Sequence, residues 1–412
     1  MASSKPAAKP TTGASSPHSS GSTGTTKKTT KKTTKKTSPP PPPRPGPLPG
    51  PVQGCLDEHG SPVPSGTPWA QQALDYQSVW QFTEGQGITV AVIDSGVDAN
   101  PQFDGRVIVG PTSTQAAAPA GPANGDCVGH GTSVAGIIAA APMAGVAFAG
   151  VAPQATILSI KVTNTEGGIT ASVVAEAILD AVQDGAKVIN LSLTAPDTPA
   201  LSEAVAYALK RNVVVVASAG NDTTDSGTGP FYPAAYPGVL SVGAVDSDGD
   251  LADFSDVRTP VSVTAPGIDI TSTFPGTYPD SYLAGQQGTS FATAFVSGVA
   301  ALVRARYPQF TAPEVAARIE ETADGAAGPG TGDGLVNPVQ AVTAVLPVSL
   351  TATNATGRQG EVSVDRAASD GREKTMAMSV TAGALGAAVL VMAAAAVIPA
   401  GRRRRWRPGG DQ

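Results

Sequence analysis

Residues 88–98 read ITVAVIDSGVD, a near-continuous apolar run that ends in a carboxylate and then turns through serine and glycine. A short run rich in Val and Ile suits a strand buried on both faces, the situation of a parallel sheet covered by helices. Five more runs follow along the chain: TILSIKV (156–162), KVINLSL (187–193), VVVVASA (213–219), VLSVGAV (239–245) and VSVTA (261–265). Between them apolar residues recur at helical spacing, as at Val173, Val174, Ala177, Ile178, Ala181 and Val182, and again at Leu201, Val205 and Leu209. Strand and helix therefore alternate, and the expected class is α/β with a mostly parallel central sheet flanked by helices.

In an open parallel sheet, ligands bind beyond the carboxyl ends of the strands, so polar residues just past those ends are the ones to inspect. Asp94 ends the first run, and Asn221 follows VVVVASAG. Ser290 opens an apolar helix in GTSFATAFVSGVAALV (288–303), with Gly288 allowing close backbone approach, and His130 enters another in GHGTSVAGIIAA (129–140). The chain has three histidines. His18 lies in a Lys/Thr-rich tail and His59 in a Pro-rich approach, which leaves His130 as the imidazole base of the domain. A serine hydroxyl is a weak nucleophile until a base takes its proton, and the base needs an acid to fix its tautomer and stabilise its charged form. Taken singly, Ser290 reads as an N-cap, Asp94 as a turn former, Asn221 as a left-handed turn residue and His130 as a helix-entry cap. Taken together, they read as acyl-transfer chemistry.

The segments VIDSGVD (92–98), HGTSVAGIIAA (130–140), SAGN (218–221) and GTSFA (288–292) stand in the chain order Asp, His, Asn, Ser. In this the chain resembles the subtilisin-like serine proteases over about residues 80–345. The resemblance implies that Asp94 orients the imidazole, that His130 is general base and then acid, and that Ser290 is the nucleophile. It implies further that Asn221 and the Ser290 backbone N–H stabilise the oxyanion, that Leu191, Ser192 and Leu193 pair with extended substrate, and that no cofactor or catalytic metal is required. The sequence is similar in particular to the mycosin branch, through DCVGHGT (126–132), Cys55 in the N-terminal extension, VWQFTEGQGITVAVID (79–94) and an apolar C-terminal stretch with a basic tail. That branch implies an extension wrapped around the catalytic domain, a Cys55–Cys127 disulfide and type VII secretion as context. Three positions depart from the family pattern: Ser133 replaces a second histidine, Ala294 a proline, and Thr194 a glycine of the substrate-binding edge. The first two should affect only local packing, whereas Thr194 bears on the width of the first specificity pocket.

Charge and composition divide the rest of the chain. Residues 1–44 hold nine Lys or Arg and no acid, and five Arg against one Asp follow Ala400. The 13 basic and 32 acidic residues between these ends give the middle a charge of −19, against −6 overall, which argues against nucleic acid as a partner. Residues 1–50 are expected to be a disordered Lys/Thr/Pro-rich arm, 51–82 the extension, 83–346 the catalytic domain and 347–375 a linker. Residues 376–400, uncharged and long enough at about 20 residues, are expected to be a transmembrane helix, followed by a basic cytoplasmic tail at 401–412. This arrangement predicts a single-pass cell-membrane protein with its catalytic domain outside, although residues 1–50 contain no apolar export signal. Two cysteines are too few for a zinc site; outside the cytoplasm they suggest one disulfide, otherwise two free thiols. DSDGD (246–250) and DTTD (222–225) read as acidic turns rather than metal sites. A structural subunit of the secretion complex, with proteolysis dispensable, is the competing function.

Overall fold

The computed structural model describes residues 60–112, 125–165, 169–221, 229–325 and 328–346, and each of the six quoted runs contains a strand. In chain order the sheet is built from β1 (Thr89–Asp94), β2 (Val107–Thr112), β3 (Thr156–Lys161), β4 (Val188–Leu191), β5 (Val214–Ser218), β6 (Leu240–Val245) and β7 (Val263–Pro266). All seven are parallel, in the order β2-β3-β1-β4-β5-β6-β7. Alternate residues of β1 serve opposite layers: Val90 and Val92 join one apolar cluster, Ala91 and Ile93 the other. This is why the run is apolar throughout.

Five helices matter for the site. They are α1 (Trp69–Leu74), α2 (His130–Ala139), α3 (Ala171–Gln183), α4 (Pro199–Lys210) and α5 (Thr289–Arg306). Helices α3 and α4 share a cluster with Ala91 and Ile93, while α1, α2 and α5 share the other. Each fully buried branched side chain, such as Val296, Val299 or Leu302 of α5, contributes roughly 1.5–3 kcal/mol. Strand β1 lies between β3 and β4, so the connections leave it in opposite directions and open a crevice at its carboxyl end. Asp94 stands at that end.

An antiparallel hairpin, β8 (Ile270–Thr277) with β9 (Asp280–Gln286), packs against α2 and is absent from the quoted runs. Its sequence is broken by Pro275, Gly276, Pro279 and Gly285, which hide any period-2 pattern. From residue 60 onward the extension lies on the domain. Ser61 bridges Tyr282 of β9, Trp69 Nε1 donates to the Ile268 carbonyl (3.0 Å), Tyr76 Oη to Ala149 (2.8 Å) and Trp80 Nε1 to Val151 (3.0 Å).

The transmembrane expectation requires correction. A span needs an uninterrupted apolar helix of about 20 residues. Among the described residues no helix is long and apolar enough to cross a membrane. The longest named helix, α5, has 18 residues, ends in Arg304 and Arg306 and is buried in the core. Residues 376–400 lie outside the described residues, as do the arm, the linker and the basic tail. The supported fold is therefore the α/β domain alone. Attachment through a C-terminal helix, the single-pass topology and the cell-membrane localisation, all of which rested on that span, lose their structural support. The described residues contain no free cysteine, and Cys127 is disulfide-bonded. Cys55, the partner implied by the resemblance, lies outside them.

Candidate active site

Asp94, His130, Asn221 and Ser290 all line one cleft of about 650 Å³ beyond the carboxyl ends of the central strands. Asp94 is buried, and its Oδ1 receives the backbone N–H of Ser95 (2.7 Å) and His130 Nδ1 (2.8 Å). With Nδ1–H donated to the carboxylate, the neutral imidazole carries its basic lone pair on Nε2. The His130 ring, a quarter exposed, packs on Phe291 with centroids 5.4 Å apart. It is the first residue of α2, and the helix can approach β1 only because its neighbour is glycine: a Cβ at Gly131 would lie 2.1 Å from the Gly96 carbonyl oxygen.

On the opposite wall, Ser290 lies in the first turn of α5, where backbone N–H groups have no partner within the helix. Gly288, with φ of 150°, delivers the chain into that turn, a conformation that side-chain-bearing residues avoid. Asn221 Oδ1 accepts from Thr289 N (2.9 Å) and Thr289 Oγ1 (2.7 Å), so its amide is turned with Nδ2 as the remaining donor, adjacent to Gly288. Ser290 Oγ donates to the Ser192 carbonyl (3.2 Å), and Ser192 Oγ donates to the Ser290 carbonyl (2.8 Å). Of the three expected substrate-edge residues, Ser192 and Leu193 line the cleft. Leu191 does not; it is buried in β4, in register with Ala217.

Several supporting residues were not singled out from the sequence. Asn190 Nδ2 donates to Ser192 Oγ (2.9 Å), and Ser297 Oγ donates to Asn190 Oδ1 (2.8 Å), so β4 and α5 are tied by a buried chain of neutral groups. A polar residue inside an apolar run was the available signal, because buried amides and hydroxyls are almost always paired. Ser95 and Asp126 were quoted inside motifs but given no role. Asp126 Oδ1 accepts from Ser95 Oγ (2.8 Å), Val128 N (3.1 Å) and Gly129 N (2.8 Å), and its Oδ2 from Thr132 N (2.8 Å) and Thr132 Oγ1 (2.6 Å). An anion placed there also complements the amino end of α2.

The departures from the family pattern are accommodated locally. Ser133 Oγ donates to the Thr273 carbonyl (2.9 Å) and the Ser133 carbonyl accepts from Ser272 Oγ (2.7 Å), fastening α2 to β8. Ala294 is buried in α5, and Thr194 is exposed at the cleft. None of the described residues of the extension lines the cleft. Among the described residues no group of three or more His, Cys, Asp or Glu could hold a metal ion. Asp246 Oδ1 accepts the backbone N–H groups of Asp248 and Asp250, an acidic turn, and the 222–225 segment lies outside the described residues.

The model of the subtilase family matches residues 85–364. Thermitase of Thermoactinomyces vulgaris is 38% identical over 285 residues, covering 68% of this chain and 98% of its own. Mycosin-4 of Mycobacterium tuberculosis is 38% identical over 382 residues, covering 82% of each. Among solved structures, that of the MycP3 protease from the type VII (ESX-3) secretion system is 33% identical with a TM-score of 0.61, covering 75% of this chain and all of its own.

Proposed function

Because the chain belongs to the subtilase family, with mycosins among its structural relatives, we propose that Asp94, His130 and Ser290 are the catalytic triad of a mycosin-type serine endopeptidase. Serine endopeptidase activity follows from that membership. The assignment of residues rests on one observation above all: the 2.8 Å bond between Asp94 and His130 in the cleft that also holds Ser290 and Asn221.

In the first half-reaction, Ser290 turns its hydroxyl from the Ser192 carbonyl to His130 Nε2. Its Oγ attacks the peptide carbonyl carbon as the proton passes to the imidazole. Asp94 stabilises the imidazolium that results. The oxyanion forms against two neutral donors, the Ser290 backbone N–H and Asn221 Nδ2, placed before reaction at the amino end of α5. His130 then returns the proton to the leaving amine, the C–N bond breaks, and water repeats the sequence to release the acyl group.

The likeness to mycosin-4 and to the MycP3 protease of a type VII secretion system supports a protein substrate handled by such a system, and the likeness to a solved periplasmic assembly of the ESX-5 inner membrane complex supports association with such a complex. Anchoring by a C-terminal helix is no part of this reading. Covalent labelling with a fluorophosphonate probe tests the triad: wild type should label at neutral pH, and Ser290→Ala and His130→Ala should not. Labelling that survives Ser290→Ala, or a folded wild type that stays unlabelled, would sink the assignment.

A further inference from the structure

Three buried ionisable side chains lie behind the Asp94–His130 pair and take no part in the chemistry above. Asp98, Asp126 and Lys161 are 0, 0 and 2% exposed. Lys161 ends β3 in register with Asp94, and its Nζ donates to the Gly125 carbonyl, five residues before His130. Asp98 Oδ1 accepts the Asp126 backbone N–H (2.9 Å), while the Asp98 N–H donates to Thr132 Oγ1 (3.0 Å). The loop from 125 to 129 and the first turn of α2 are thus gathered around one carboxylate, Asp126, which accepts five hydrogen bonds.

The link to catalysis is Ser95. Its Oγ accepts the Gly131 N–H (2.9 Å) and lies 2.8 Å from Asp126 Oδ1 but 3.2 Å from Asp94 Oδ1. A hydroxyl has one proton and cannot serve both carboxylates. Given to Asp94, that proton would compete with His130 Nδ1–H for the same Oδ1 and weaken the carboxylate's hold on the imidazolium.

Resting on the triad reading, we propose that Asp126 is a positioning residue for His130: it fixes the turn that presents the imidazole and draws the Ser95 hydroxyl proton away from Asp94. The titratable groups that face Ser95 and Asp126 are Asp94 and His130 on the cleft side and Asp98 and Lys161 on the core side. The turn geometry acts on proton transfer by orientation, and the proton capture acts on the basicity of His130.

The test uses the full chain and reads the His130 imidazole titration by NMR, assigned against His130→Ala and separated from His18 and His59, together with kcat, KM and melting temperature. Asp126→Asn should lower the His130 titration by about half a pH unit or more and kcat by roughly ten-fold, with KM within about two-fold. In a Ser95→Ala background the downward shift should shrink. Ser95→Ala alone, which needs no change at Asp126, should leave the titration in place. A rise in that variant would mean the hydroxyl proton sat on Asp94, and would overturn the proposal. So would an Asp126→Asn protein whose melting temperature falls while its His130 titration and kcat stay put. Loss of Ser290-dependent turnover in wild type would break the triad reading instead, and the titration would still decide the role of Asp126.

Discussion

The two walls of the cleft are built from different chemistry. The wall carrying Ser290 is neutral: Asn221, Thr289, Ser192, Asn190 and Ser297 are joined by amide and hydroxyl hydrogen bonds. The wall carrying His130 is ionisable: Asp94, Asp126, Asp98 and Lys161 are all buried. On the proposed mechanism, the difference follows from the charge each side must stabilise. A transient oxyanion is best met by fixed dipoles that cannot titrate, whereas a transient imidazolium is best met by anions. One wall should therefore be insensitive to pH in its stability and the other should not.

The largest expected effect is at the proposed nucleophile. Ser290→Ala should lower kcat by roughly 10⁶-fold, the scale known for triad removal in subtilisin-type sites, with little change in melting temperature; steady-state hydrolysis of a peptide substrate checks this. Next, Asn221→Ala removes one proposed oxyanion donor and should cost about 10²–10³ in kcat with KM nearly unchanged, a pattern expected only of a group acting in the transition state. A loss mainly in KM would break the contrast between the walls.

Smaller effects sharpen the contrast. Asn190→Ala leaves the buried Ser192 and Ser297 hydroxyls without their shared partner and should destabilise the fold by roughly 1–3 kcal/mol, equally at pH 5 and pH 8, in denaturant unfolding. Asp98 belongs to the other regime. Burial, first, and the neighbouring Asp126 charge push its carboxyl up to about 7, although the Asp126 N–H and Lys161 oppose them. Its folded-state pKa is thus above the ordinary carboxyl value near 4. The native state keeps a proton that the unfolded chain releases, and the stability associated with this site falls as pH rises from about 4 to about 7. Asp98→Asn keeps the Oδ1 acceptor and cannot ionise, so its melting temperature relative to wild type should climb across that window and level off above it. A difference that does not vary with pH would place Asp98 with the neutral wall.

Much of this molecule can be read from local pattern. The six apolar runs are strands because residues buried on both faces are apolar without interruption, and the helical spacing at Val174, Ile178 and Leu201, Val205 marks α3 and α4. Strand β2 is harder to see, since Gly110 and Pro111 interrupt it, and the β8–β9 hairpin is hidden by its own prolines and glycines. The four proposed site positions stand out in the sequence because strand ends and helix starts mark them locally, and the four motifs occur in one order. Leu191 shows the limit: it sits beside Ser192 in sequence but belongs to the apolar cluster shared with α3 and α4, because successive residues along a strand face opposite sides.

By itself the sequence determined the α/β class, the chain order of the apolar strands and which Asp, His, Asn and Ser stand at strand ends and helix starts, since each depends on residues adjacent in the chain. Tertiary structure alone decided that Asp98, Asp126 and Lys161 converge behind His130, that Asn190 ties β4 to α5, and that β8 braces α2. Those outcomes depend on desolvation and hydrogen-bond geometry between segments some 30 to 140 residues apart, and one-dimensional spacing does not encode them.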